Sequence, residues 1–260
     1  VIRHQDEILY PAALVTGGAR RIGREIALEL AAAGMDIALH CRESADAAEE
    51  TAEEVRALGR EAAVLRADLA DPDAAGALPD RAVEALGGLG LVVNNASLFE
   101  KDDWDSVTAE SWSAHMTVNL ESPFRIIQAF AKGLPEGRDG VAVNILDQRV
   151  FSLTPHFISY TLSKSGLWTL TRTLALALAP RVRVAAVGPG PTAPSPRQDP
   201  ADFERQCAIV PLRRRTEPAA IAKAVRFILE SPSLTGQMIA LDGGEHLGWK
   251  QDADGAYVPE

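Results

Sequence analysis

Short apolar runs alternate along the chain with segments whose apolar positions recur every three or four residues. The first run, AALVT (12–16), ends in the glycine-rich loop TGGARRIG (16–23). GREIALELAAAG (23–34) follows, with Ile26, Leu30 and Ala33 on one helical face and Gly34 as a natural stop. MDIALHC (35–41) reads as a second strand and the Ala/Glu-rich 44–58 as a helix. Strands at 62–69, 90–97 and 140–146 are followed by helices at 73–86, 108–134 and 157–179. The strand VRVAAVG (182–188), a helix at 217–230 and the strand QMIALDGG (237–244) close the series. Apolar strands alternating with helices predict an α/β fold, a doubly wound parallel sheet of about seven strands with helices on both faces.

One stretch breaks the rhythm. The prolines and glycines of GPGPTAPSPRQDP (188–200) forbid regular structure, so a lid is expected there, within a substrate loop at about 188–210. With 260 residues, 47% of them hydrophobic, the chain suits one domain over 1–260, its core at about 10–246. The ends, 1–9 and 249–260, read as appended segments, the latter as an exposed tail.

In sheets of this kind ligands bind beyond the carboxyl ends of the strands. The polar residues gather there: Arg20 and Arg21, His40 to Ser44, Asp68, Asn94 to Ser97, Asp147 and GPGPT (188–192). A net charge of −10 argues against a nucleic-acid or anionic-membrane partner. Cys41 and Cys207 cannot build a disulfide framework and read as reduced, buried thiols. No apolar run is long enough to span a bilayer, and the charged start lacks a signal peptide's apolar region, so a cytoplasmic protein is expected. His115, His156 and His246 lack metal-like spacing, so no metal is expected; Trp104 and Trp112 read as packing residues, and LRRRT (212–216) as a solvated face.

YTLSK places Tyr160 and Lys164 four apart, on one helical face. An ammonium near a phenol favours phenolate and lowers the phenol's pKa. The spacing alone also fits two unrelated surface residues. With the glycine loop after the first strand, NNAS after the fourth and Asn119 in VNLESPF, it resembles the short-chain dehydrogenase/reductase family over about residues 10–246. The resemblance implies a Rossmann-type domain, a nicotinamide dinucleotide and a catalytic set that includes Asn119, Tyr160 and Lys164. Tyr160 would donate a proton, Lys164 hold the nicotinamide ribose, and Asn119 organise a relay water.

Three departures narrow the resemblance. Asp147 stands in NILDQRV where the family usually has serine. A carboxylate would repel a forming alkoxide, but suits a substrate with N–H groups or a ring nitrogen that needs a proton; the alternative is an Asp that caps or salt-bridges at the end of its strand. Phe99, in NNASLF, can stack a planar heterocycle. Two arginines interrupt the glycine loop. Together these are similar to the pteridine reductases, whose catalytic set of Asp, Tyr and Lys matches Asp147, Tyr160 and Lys164.

On that resemblance Arg21, Ser97, Phe99, Asp147, Tyr160 and Pro191 contact substrate. The cofactor set is Gly17, Arg20, Arg21, Ile22, Gly23, His40, Arg42, Ser44, Asp68, Leu69, Asn95, Ala96, Ser97, Tyr160, Lys164, Pro189, Gly190 and Thr192. The second strand ends in LHCRES rather than in the carboxylate that NAD enzymes use for ribose. His40, Arg42 and Ser44 can instead hold a 2′-phosphate, which favours NADPH. Glu43 stands in that segment and is expected to open the next helix and point away. Asp68 is expected to accept from the adenine amino group, or else to cap the helix near Asp71.

The function expected is NADPH-dependent reduction of a dihydropterin: dihydromonapterin, dihydrobiopterin or dihydrofolate. The rivals are a reductase of an ordinary ketone, sugar or quinone, and a non-catalytic NADPH-binding regulator. A homotetramer packed through the helices near 110–134 and 157–179 is implied by the family.

Overall fold

The computed structural model describes residues 11–194 and 199–247. The expected tail at 249–260, the segment 1–9 and part of the substrate loop, 195–198, lie outside the described residues. Seven strands form one parallel sheet: β1 (Ala12–Thr16), β2 (Asp36–Cys41), β3 (Ala62–Arg66), β4 (Leu91–Asn94), β5 (Gly140–Ile145), β6 (Val182–Pro189) and β7 (Met238–Leu241). Their order is β3-β2-β1-β4-β5-β6-β7. The order reverses between β1 and β4, so the connections leave on opposite faces there and open a crevice.

Period-2 alternation sends strand side chains to two cores. Ala13 and Val15 of β1 and Leu91 and Val93 of β4 face helices α1 (Arg21–Ala32) and α9 (Pro218–Glu230), through Ile26, Leu30, Ile221 and Ile228. Leu14 and Val92 face the other layer: α4 (Leu78–Leu86), α6 (Ser122–Gly133) and α7 (Ile158–Ala177), through Leu78, Ile126, Phe130 and Leu174. Ile26, Leu30 and Ile126 are fully buried, each worth roughly 1.5–3 kcal/mol over exposure. Cys41 and Cys207 are free and buried, as expected. Among the described residues no helix is long and apolar enough to cross a membrane.

Prolines redraw three expected elements. The helix expected at 73–86 is two, α3 (Pro72–Gly76) and α4, because Pro79 has no N–H to continue the ladder. Asp71 caps α3, accepting from the N–H groups of Asp73 and Ala74, while Asp68 only closes a turn onto Ala70 N–H; Asp68 is not the cap. The helix expected at 108–134 is α5 (Ala109–Met116), one π-helical turn (Thr117–Glu121) and α6. Pro123 cannot donate to the Asn119 carbonyl, and the ladder slips by one residue there. In the substrate loop, Pro200 starts a helix, α8 (Pro200–Ile209), with Asp199 accepting from Ala201 N–H. The remaining helix, α2 (Ala45–Ala57), starts after Glu43, which therefore does not open it. Trp104 is 82% and Trp112 42% exposed, so neither packs in the core as expected.

The β1–α1 turn is tight. Gly17 takes φ +63°, and a Cβ on Gly23 would lie 2.1 Å from the Gly17 carbonyl oxygen and 2.6 Å from Asn95 Nδ2. Gly23→Ala must therefore push β1 and α1 apart. A loss of about 1–3 kcal/mol in denaturant unfolding is expected, together with weaker dinucleotide binding.

Candidate active site

A cleft of about 940 Å³ opens over the carboxyl ends of the strands. That is at the upper end of the roughly 300–1,000 Å³ usual for small-molecule sites. On the β1–β2 side it is lined by Gly17, Arg20, Arg21, Ile22, Gly23, His40, Arg42, Asp68 and Leu69. Asn95, Ala96, Ser97, Lys164, Pro189, Gly190, Pro191 and Thr192 line its middle, and Phe99, Asp147, Arg149, Phe157, Tyr160, Gln206 and Glu245 the β5–β7 side. Of the residues expected at the site, Ser44 and Asn119 do not line it.

The β1–β2 side suits an anion. Helix α1 begins at Arg21 with no side-chain cap and no acidic residue in its first turn. Its first N–H groups and the positive end of its dipole therefore favour a phosphate. Arg21 takes φ 53°, and its Nη2 donates to the Ala193 carbonyl at 3.2 Å, tying the glycine loop to the substrate loop.

His40 does not carry charge for a phosphate. Its Nδ1 accepts the Gly17 N–H at 3.2 Å, so Nε2 carries the proton and donates to the Ala67 carbonyl at 3.2 Å. Burial lowers its pKa, so the ring is neutral and holds the glycine loop against β3. Arg20 and Arg42 are then the cations available. Arg42 pairs with Glu43 at 3.3 Å, but both side chains are exposed, and such a pair holds Arg42 weakly. Ser44 flanks α2 without a side-chain bond.

Asn119 is buried and acts through the backbone beside it. Its Nδ2 donates to the Leu98 carbonyl at 2.9 Å and to Ser163 Oγ at 3.1 Å, and its Oδ1 accepts the Leu98 N–H at 2.8 Å. The π turn aims it at this segment. It positions the Ser97–Phe99 turn.

The Tyr160 hydroxyl donates to Asp147 Oδ2 at 2.8 Å. Burial and the Asp147 carboxylate hold the phenol's pKa well above its ordinary value, against a smaller opposing pull from Arg149. The expected lowering by Lys164 is absent. Lys164 Nζ donates to the Ile145 carbonyl at 2.9 Å and lies 5.9 Å from the Tyr160 ring centroid, too far to outweigh desolvation. The phenol is thus a proton donor resting on a carboxylate.

Sequence reasoning missed several residues. The Arg149 N–H donates to Asp147 Oδ1 at 2.9 Å and its Nη1 to Oδ2 at 3.3 Å. Its guanidinium lies 5.5 Å from the Phe99 ring centroid and 5.2 Å from that of Phe157. Phe99 stacks on Phe157, 4.6 Å between centroids and 7° between planes, and meets Tyr160 edge-on. One face of Phe99 is therefore occupied by Phe157, in contrast to the open wall expected. Gln148, Arg149 and Glu245 follow the ends of β5 and β7, where the strand-end rule could have found them.

Residues 11–204 match the family model described as short chain dehydrogenase. The chain belongs to the short chain dehydrogenase family. Among solved structures, this short chain dehydrogenase is similar to FolM alternative dihydrofolate reductase 1 from Brucella canis, complexed with NADP. The two share 47% identity and a TM-score of 0.90, over 95% of this chain and 98% of that one. Among curated relatives, it is 36% identical to 2-dehydro-3-deoxy-D-gluconate 5-dehydrogenase of Escherichia coli, over 89% of this chain and 94% of the relative. It is 31% identical to 3-oxoacyl-[acyl-carrier-protein] reductase of Synechocystis, over 89% and 95%. It is an oxidoreductase, and the uncapped α1 and its arginines fit a phosphorylated dinucleotide.

Burial lowers the Lys164 ammonium to about 8, with Asp147 pulling the other way. Lys164 is charged below that pH and neutral above it. The rate at low substrate concentration, which reports the free enzyme, should therefore fall about tenfold per pH unit above the Lys164 pKa. A pH series on the purified protein checks this. In Lys164→Arg, whose guanidinium stays charged, the residual activity should lack that limb.

Proposed function

We propose that the protein is an NADPH-dependent reductase of a dihydropterin. The observation that carries this is the Asp147 carboxylate bonded to the Tyr160 hydroxyl. An ionised carboxylate beside the proton donor disfavours the alkoxide charge that develops on a ketone oxygen as hydride arrives. It favours a ring nitrogen that takes its proton before or with the hydride, so that no anion develops there. When bound, NADPH supplies the hydride for a ring C=N carbon. The N-terminus of α1, Arg20 and Arg42 hold its phosphates, and Lys164 its nicotinamide ribose. Tyr160 gives its proton to the ring nitrogen, and Asp147 keeps that proton in place beforehand. The Phe99–Phe157 stack and Arg149 form an aromatic, cationic wall against a flat heterocycle. The likeness to the Brucella protein named as an alternative dihydrofolate reductase supports the same substrate class.

We also propose a homotetramer packed through α5, α6 and α7, the last of which exposes Leu162 and Leu176. Carbonyl reduction is the second reading, favoured by the names of the curated relatives. NADPH oxidation measured with dihydrobiopterin, dihydromonapterin, dihydrofolate and a ketone panel separates the two. Turnover of a dihydropterin is expected, and ketone turnover alone overturns the proposal. Asp147→Ser and Tyr160→Phe should each lower dihydropterin kcat by about 10²-fold or more, with little change in NADPH affinity.

A further inference from the structure

The end of β7 brings a second carboxyl group into the cleft. Asp242 is buried and accepts the N–H of Gly244 at 3.0 Å and that of His246 at 2.7 Å. Gly243 and Gly244 take φ +65° and +90°, a turn that other residues rarely adopt. The turn delivers Glu245 to the cleft beside Asp147, Arg149 and Gln206.

The two carboxyl groups differ in what they have left to offer. Asp147 already accepts from the Tyr160 hydroxyl and from two N–H groups of Arg149. Gln206 bonds to the Glu245 carboxyl, while the carboxyl's Oε2 atom is buried with no partner in bonding geometry among the described residues. Leaving such an oxygen unsatisfied is unfavourable, and in a cleft lined for a ligand a donor on that ligand can meet it. Burial and the Asp147 charge push Glu245 up to about 7, with Arg149 opposing. A donor that meets this oxygen relieves the same unfavourable desolvation.

We propose that Glu245 is a specificity-determining substrate contact, its free carboxyl oxygen accepting an N–H of an amino-substituted heterocycle. This rests on the dihydropterin reading. A ligand with such a donor satisfies the oxygen, while an aliphatic ketone leaves it unpaired. Sites built to bond an N–H or O–H reject analogues that lack it far more strongly than apolar pockets reject a missing methylene.

The test compares wild type with Glu245→Ala and Glu245→Gln. Steady-state kinetics with dihydrobiopterin at saturating NADPH give KM and kcat. Fluorescence titrations give the Kd of NADPH and that of methotrexate, a diaminopteridine, with NADP present. In Glu245→Ala the KM and the methotrexate Kd should rise about tenfold or more, the equivalent of one lost charge-assisted hydrogen bond. The Kd of NADPH should hold. Glu245→Gln keeps an acceptor oxygen and should fall between the two, which also guards against a fold defect in the alanine variant. Unchanged KM and methotrexate Kd in both variants overturn the inference, as does a fall in kcat alone. If the wild type turns over no dihydropterin, yet binds methotrexate and loses it in Glu245→Ala, only the dihydropterin reading falls. If the wild type neither turns over dihydropterin nor binds methotrexate, both fall.

Discussion

The hydroxyl of Thr16 joins β1 to β4 at the point where the sheet's connections part. It donates to the Val93 carbonyl and accepts the N–H groups of Asn95 and Ala96. Asn95 returns the tie, its Nδ2 donating to the carbonyls of Thr16 and Gly17. A parallel sheet opens a crevice wherever its strand order reverses, but the rims of that crevice are loops with no reason to hold still. Here each rim is pinned by side chains that are buried, or half-buried in the case of Asn95. The glycine loop is tied to Asn95 and, through His40, to β3. The Ser97–Phe99 turn is tied to Asn119.

The next segment is held by a directional chain. Glu100 N–H donates to His115 Nε2, so the proton of the neutral ring is on Nδ1, which donates to Ser159 Oγ at 2.6 Å. Ser159 in turn donates to Asp102, which also accepts the Ser159 N–H at 3.1 Å. Burial lowers the His115 pKa and keeps the ring neutral, which preserves the direction of the chain. Ser159 immediately precedes Tyr160. The loop after Phe99 and the helix carrying Tyr160 are thereby fixed to each other, and buried networks with every member satisfied give rigidity of this kind.

The strands were legible because a core-facing parallel strand is a short apolar run whatever its neighbours. Helix existence was legible for the same reason, but the breaks at Ala77 and at 117–121 depend on where Pro79 and Pro123 withhold a donor. At the site, Arg20, Asp147, Tyr160 and Lys164 could be named from position and type. Their states could not. That His40 is neutral follows from Gly17 and Ala67, distant in sequence. That the Tyr160 phenol is raised follows from its burial and from Asp147, while Lys164 is directed to the Ile145 carbonyl. Phe157 joins the aromatic wall through a left-handed backbone, φ 59°, which no periodicity announces. Arg149, two residues past Asp147, turns back on it through a capping turn that becomes visible only once the helical turn at 148–150 exists.

The charge balance of the dyad explains why both Lys164 and Arg149 flank it. In the proposed reaction the carboxylate is the dyad's one anion before proton transfer, and the phenol donates to it. After transfer a phenolate and a carboxylate would sit side by side. Like charges about 4 Å apart repel by about 4 kcal/mol at an effective dielectric near 20, roughly three pKa units. Without compensation that repulsion would resist the transfer to substrate. The Lys164 ammonium and the Arg149 guanidinium supply two positive charges against the two negative ones. Arg149 touches Asp147 directly, and Lys164 lies beneath the phenol ring. A serine in place of Asp147 would leave one anion and need one cation nearby, so Arg149, paired with Asp147, offsets the charge that the carboxylate adds.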